Sequence, residues 1–179
     1  MDLIWWILGA VVALVAFAKW WLSRPLVHSL SGLDGLEKFL GDLLERGADG
    51  TVLIITHVGT GHFVQFVKYF DPQGARRLHF GFPDAPWSRE YFSAVRQALQ
   101  AMGIALRTES TQREGVRRFL VAEDLDDIGV AKDIAIAALG AIGLNREDEF
   151  RAQFDGGTDP AQDLEQVKQT WTELKKRKS

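Results

Sequence analysis

The chain of 179 residues contains no cysteine. That absence excludes disulfides, thiolate zinc sites and a cysteine nucleophile, while leaving the compartment open. Excess charge of one sign is missing too. Lys and Arg number 21 against 24 Asp and Glu, a formal net charge of −3, so the overall balance gives no reason to expect nucleic acid as a partner. There is no internal repeat, and neither Ser88 nor Ser93 has the Gly-x-Ser-x-Gly setting that exposes a serine nucleophile. Long uninterrupted apolar runs are absent with a single exception.

That exception is Leu3 to Leu22, LIWWILGAVVALVAFAKWWL. As a helix, such a run spans about 30 Å, the thickness of a bilayer core. Trp5 and Trp6 stand at one border and Trp20 and Trp21 at the other, as an interfacial aromatic belt requires. Lys19 lies close enough to the end to snorkel. Ala16-Phe17-Ala18 resembles a leader cleavage site, but no Lys or Arg precedes the run, so a retained transmembrane anchor over 3–22 is expected. Lys19 near the end of the span and Arg24 just beyond it are basic, and only Asp2 precedes it. Basic residues prefer the cytoplasmic side, which predicts a single pass in a bacterial-type inner membrane with the body in the cytoplasm.

After a linker over 23–32, broken by Pro25, Leu33, Leu36, Phe39, Leu40, Leu43 and Leu44 recur at helical steps. Gly47 is a natural stop. Three strands follow: Thr51 to His57, Phe63 to Phe70 and Arg77 to Phe82, the last two joined by Asp71-Pro72-Gln73-Gly74. Ser88 is placed to cap a second helix running to Met102. Ile104 to Glu109 and Val116 to Ala122 read as strands, and a third, strongly apolar helix opens near Asp126 or Asp127. Short connections make neighbouring strands antiparallel. The expectation is an α+β fold over 33–144, a five-stranded antiparallel sheet in the order α-β-β-β-α-β-β-α. Beyond Asn145 the chain turns polar, and 145–179 reads as a helical tail. Its Leu164, Val167, Trp171 and Leu174 share a stripe, and its basic end is Lys175, Lys176, Arg177 and Lys178. Trp171 and those four cations are candidates for contact with anionic lipid.

The stretch ITHVGTGHFVQF, residues 55–66, decides between catalysis and binding. A glycine loop cradles phosphate when a helix follows it, and here the next segment reads as a strand. Gly59-Thr60-Gly61 is therefore expected to be a hairpin turn. His57 and His62 would then face each other and are the metal candidates, but zinc needs three or four ligands and the hairpin offers no carboxylate. His79 is the natural third ligand, placed well along the strand from His62. Glu123-Asp124 with Asp126-Asp127 reads as charge favouring a helix start, and Arg76, Arg77, Arg107, Arg117 and Arg118 as solvated strand positions. No catalytic residue and no cofactor emerge.

The order of elements resembles the type III secretion chaperone-like fold, also the layout of the YbjN-type and TY-Chap domains. Phe63-Val64-Gln65-Phe66 is similar to the "yvQf" strand of TY-Chap sequences. The resemblance covers about Leu33 to Leu144 and implies a chaperone-like protein-binding module, often a homodimer, with no catalytic residues to carry over. The expected function is thus a membrane-anchored, non-enzymatic chaperone or adaptor module. It would hold lipid through 3–22 and an unknown protein through its sheet or groove. The alternatives are a metal- or small-molecule-binding domain using His57 and His62, or a structural subunit of a membrane assembly.

Overall fold

The computed structural model describes residues 27–111 and 115–156. The expected anchor with Trp5, Trp6, Lys19, Trp20 and Trp21, the linker residue Arg24, and the tail with Trp171, Lys175, Lys176, Arg177 and Lys178 lie outside the described residues. Among the described residues, no helix is long and apolar enough to cross a membrane.

The strands are β1 (Val27–Ser31), β2 (Val52–His57), β3 (Phe63–Phe70), β4 (Arg76–Pro83), β5 (Arg107–Ser110), β6 (Arg118–Leu125) and β7 (Glu149–Asp155). The helices are α1 (Leu36–Arg46), α2 (Phe92–Ala101) and α3 (Ile128–Ala141), with a 3-10 turn at Leu33–Gly35 leading into α1. Among the described residues, all strands join one seven-stranded sheet in the spatial order β1-β7-β2-β3-β4-β6-β5. Every pairing is antiparallel.

The sheet corrects the five-stranded expectation, and the chain order becomes β-α-β-β-β-α-β-β-α-β. Both extra strands lie in segments with weak local signals. Val27–Ser31, inside the expected linker, buries only Leu30. It is a strand because β7 supplies its ladder, Leu30 facing Phe150 and His28 facing Ala152. Glu149–Asp155, inside the expected polar helix, alternates instead: Phe150 and Ala152 are buried while Arg151 is exposed. Its charges suggested helix, but the period is two, and burying Phe150 and Ala152 against β2 decides the state.

Alternation divides the sheet into two faces. Leu53, Ile55, Val64, Phe66, Leu78, Phe80, Phe82, Leu120, Ala122, Phe150 and Ala152 point to one side and are buried. The helices cover that side, α3 lying between α1 and α2 over β3, β4 and β6. Leu36, Leu40, Leu43 and Leu44 of α1 and Ala131, Ile134, Ala135, Ala138 and Leu139 of α3 complete the core. Small residues on α3 let the helices approach closely. Gly47, which ends α1, has φ −59°, not the left-handed value expected of a terminating glycine. It is required for space, since a Cβ there would lie 2.6 Å from the Leu43 carbonyl oxygen.

Two local expectations change. Ser88 does not cap α2, which begins at Phe92. Its buried hydroxyl accepts from the Ala85 N–H at 2.8 Å and donates to the Pro83 carbonyl at 2.5 Å, closing the turn before the helix. Within the acidic run only Asp127 acts as a helix cap, accepting from the N–H groups of Gly129 at 2.7 Å and Val130 at 3.1 Å. Glu123 and Asp124 belong to β6.

Candidate functional site

Among the described residues, no helix lies on the second face of the sheet. In-register partners share a face, so the open one is built from Val52, Ile54 and Thr56 of β2, Phe63, Gln65, Val67 and Tyr69 of β3, and Arg77, His79 and Gly81 of β4. Phe119, Val121 and Glu123 of β6, Arg107 and Glu109 of β5, and Arg151 and Gln153 of β7 continue it. Its centre is apolar. Phe119 is 9 % exposed and Val121 3 % exposed, although both project away from the helices. Gln65 lies flat over Gly81, where a Cβ would stand 3.1 Å from the Gln65 Cγ. The Gln65 Oε1 is buried there and accepts no hydrogen bond from the described residues.

Charges border this centre beside a β-bulge. Leu78 pairs with Leu125 and Phe80 with Ala122, so β6 holds one extra residue between them. Asp124 takes up the bulge at φ 57°, a left-handed conformation that favours glycine. Tyr69 holds it from both sides: its hydroxyl donates to the Asp124 Oδ1 at 2.5 Å and accepts from the Asp124 N–H at 3.1 Å. Burial and then this hydrogen bond push the Tyr69 phenol up to about 12. The His79 ring meets the Tyr69 ring edge-on at 3.9 Å, with its Nε2 3.7 Å from the Glu123 Oε1. Arg107 pairs with both Glu109 and Glu123. Arg77 reaches Asp71 at 3.3 Å and also Asp126. Arg76 pairs with Glu45, and Arg118 with Asp84 at 2.9 Å. Four of the strand arginines thus have carboxylate partners, and they form no basic patch for an anion.

The histidines of the opening hairpin serve a different end of the sheet. His57 N–H donates to the His62 carbonyl, and Gly61 N–H to the His57 carbonyl, closing an antiparallel turn as expected. Gly61 supplies the positive φ, 72°. Gly59 does not, but a Cβ there would lie 3.0 Å from the His57 ring. The His57 Nδ1 is engaged by Thr60, 2.8 Å from its hydroxyl and 3.1 Å from its N–H. The His57 ring rests on Phe150, and its Nε2 is 3.7 Å from Asp148. His62 stacks on Trp87 at 4.5 Å, nearly parallel. Burial first, and His57 second, hold its pKa below the ordinary value. His57 and His62 are on the helix side, whereas His79, opposite Val67, is on the open face. Among the described residues no group of three potential ligands surrounds a common point. The third ligand proposed for a metal therefore lies across the sheet from the other two.

No family model, no curated protein and no solved structure matches this chain.

The residues that matter most on the open face were not singled out from sequence. Phe119 and Val121 read as ordinary strand positions, and Gln65 entered only through its neighbours in Phe63–Phe66. The signal existed in the unbroken apolar run Phe119 to Ala122, which is buried on both sides of β6. Reading it required knowing that only one face would be covered.

Proposed function

We propose that the chain is a non-enzymatic protein-binding module that engages its partner through the open face of the sheet, close to a membrane to which residues 3–22 tether it. The observation that carries this reading is the apolar content of a face that no described helix covers: buried Phe119 and Val121 on β6, and half-buried Val52, Ile54, Phe63 and Val67 on β2 and β3. A sheet face with this many apolar residues, bordered by charged groups, has the composition of a binding site rather than of a solvated face. The unsatisfied Gln65 oxygen adds an acceptor for a donor from the partner. The tether supports the same reading, because confinement to a membrane raises the effective concentration of a weak binder. The resemblance of the central elements to chaperone-like domains agrees with a partner that is a protein.

The test uses photo-crosslinking in the native membrane. A crosslinking residue at Val67, on the open face, should capture a defined partner, and one at Lys38, exposed on α1, should not. Val67→Lys should abolish capture from a neighbouring position such as Ile54 while leaving the thermal midpoint within a few degrees. Equal capture from both sides of the sheet would remove the open face as the site, and recovery of a substrate chemically altered by the chain would remove the non-enzymatic reading.

A further inference from the structure

The two edges of the sheet are built differently. At one edge β5 is four residues long and carries Arg107 and Glu109. Charge and shortness are how natural sheets keep an edge from pairing with another chain. At the other edge, β1 reads Val-His-Ser-Leu-Ser, with no lysine, arginine, carboxylate or proline and no bulge in its pairing with β7. Val27 is 51 % exposed on it. At five residues β1 is short too, but among the described residues no charge, proline or bulge protects it.

The hydrogen-bond phase of β1 defines what this edge offers. Gly32 N–H donates to the Asp148 carbonyl, and the register continues as Leu30 opposite Phe150 and His28 opposite Ala152. Backbone groups alternate in direction along a strand, so the even residues bond to β7. The N–H and C=O groups of Val27, Ser29 and Ser31 consequently face away from the sheet. The β2 side agrees, since Val58 N–H donates to the Glu149 carbonyl, so the odd residues of β7 bond to β2 and the even ones remain for β1.

We propose that β1 is a self-recognition edge: two copies of this chain pair β1 with β1 antiparallel, about a two-fold axis through Ser29. In that register Ser29 faces Ser29, and Val27 faces Ser31 of the other copy. All are outward-directed residues, which is the arrangement in which opposite residues exchange both backbone hydrogen bonds. Every outward N–H and C=O of the strand is satisfied. A shift by one residue would set outward groups against inward ones and satisfy none. No charged side chain lies within the strand, so the two-fold places no like charges opposite each other. A second copy is thus the occupant whose pattern is guaranteed to match, and the closed two-fold leaves only the charged β5 edges at the ends of the joined sheet. The pairing is independent of what the open face binds.

The chain's lack of cysteine makes the test direct. The full chain, purified in mild detergent as Ser29→Cys, should form a disulfide-linked dimer under mild oxidation, because directly opposed residues lie within disulfide reach. Ser110→Cys, on the β5 edge, should form no disulfide-linked dimer. Ser29→Pro removes one outward N–H while leaving the β1–β7 ladder intact, a place where a strand tolerates proline. It should weaken self-association in sedimentation by about tenfold or more at an unchanged thermal midpoint. Should proline disturb the fold, Ser29→Lys, which sets like charges face to face, must give the same loss. A wild-type chain that is monomeric at all concentrations overturns the proposal. So does crosslinking from Ser110→Cys as efficient as from Ser29→Cys, or a dimer that survives both Ser29→Pro and Ser29→Lys.

Discussion

Asp124 occupies a conformation that suits glycine, and one hydroxyl keeps it there. The Tyr69 phenol both donates to the Asp124 carboxylate and accepts from its backbone N–H. Left-handed backbone at a non-glycine residue persists where its surroundings over-determine it. Tyr69→Phe removes both bonds at a half-buried position and should cost about 1 kcal/mol in urea unfolding. The phenol also carries a pH signature. Its folded pKa, about 12, is above the ordinary value of 10.0, so its contribution is complete below pH 10 and is lost as pH climbs through 12. The wild-type chain should therefore lose stability over that window relative to Tyr69→Phe, measured by urea midpoint against pH. Parallel curves would show that the hydroxyl does not hold the bulge. Sequence reading placed Asp124 in a helix-start cluster, because four acids in five positions look alike until the bulge separates those on β6 from the cap of α3.

At the scale of the element, the legible signals were those carried by a strong period or a local hydrogen bond. The apolar stripe of α1, the β-branched run of β2, the β3–β4 hairpin and the apolar α3 all form as expected. Asp127 is the clearest cap: its side chain accepts two N–H groups at the start of α3. Asp127→Ala should lower stability by about 1 kcal/mol, and Asp127→Asn by much less, since asparagine caps nearly as well. Equal thermal midpoints for the wild type and Asp127→Ala would show that packing of α3, rather than its cap, fixes where the helix begins. Ser88 shows the converse. A serine before a helix looks like a cap, yet its hydroxyl closes the preceding turn and the helix starts at Phe92. Both uses satisfy the same donor and acceptor, and only the path of the chain distinguishes them.

At the scale of the whole molecule, β7 is the element on which the outer sheet depends. It lies between β1 and β2, and the chain returns from α3 to place it there. Phe150 is fully buried, so Phe150→Ala should cost about 3–5 kcal/mol in chemical unfolding and loosen β1 as well as β7. Hydrogen exchange should then quicken at Leu30 and His28, whose N–H groups bond to β7, ahead of any change in β3 and β4. Loss of protection spread uniformly over the sheet would show that β7 is not a separable layer. The same insertion sets the two surfaces that bear on function. It extends the open face beyond β2, and it makes β1 an edge.

The sequence by itself determined the α+β class, the central hairpins, the apolar faces of α1 and α3, and the turn character of the histidine loop, because each rests on a period or a turn chemistry confined to a few neighbouring residues. Tertiary structure alone decided the strand count, the side of the sheet that the described helices cover and the separation of His79 from His57 and His62. β1 becomes a strand only because β7 pairs with it, and β7 only because Phe150 and Ala152 are buried beside β2. Long-range hydrogen bonding and burial made those choices, and neither is written in a local window of residues.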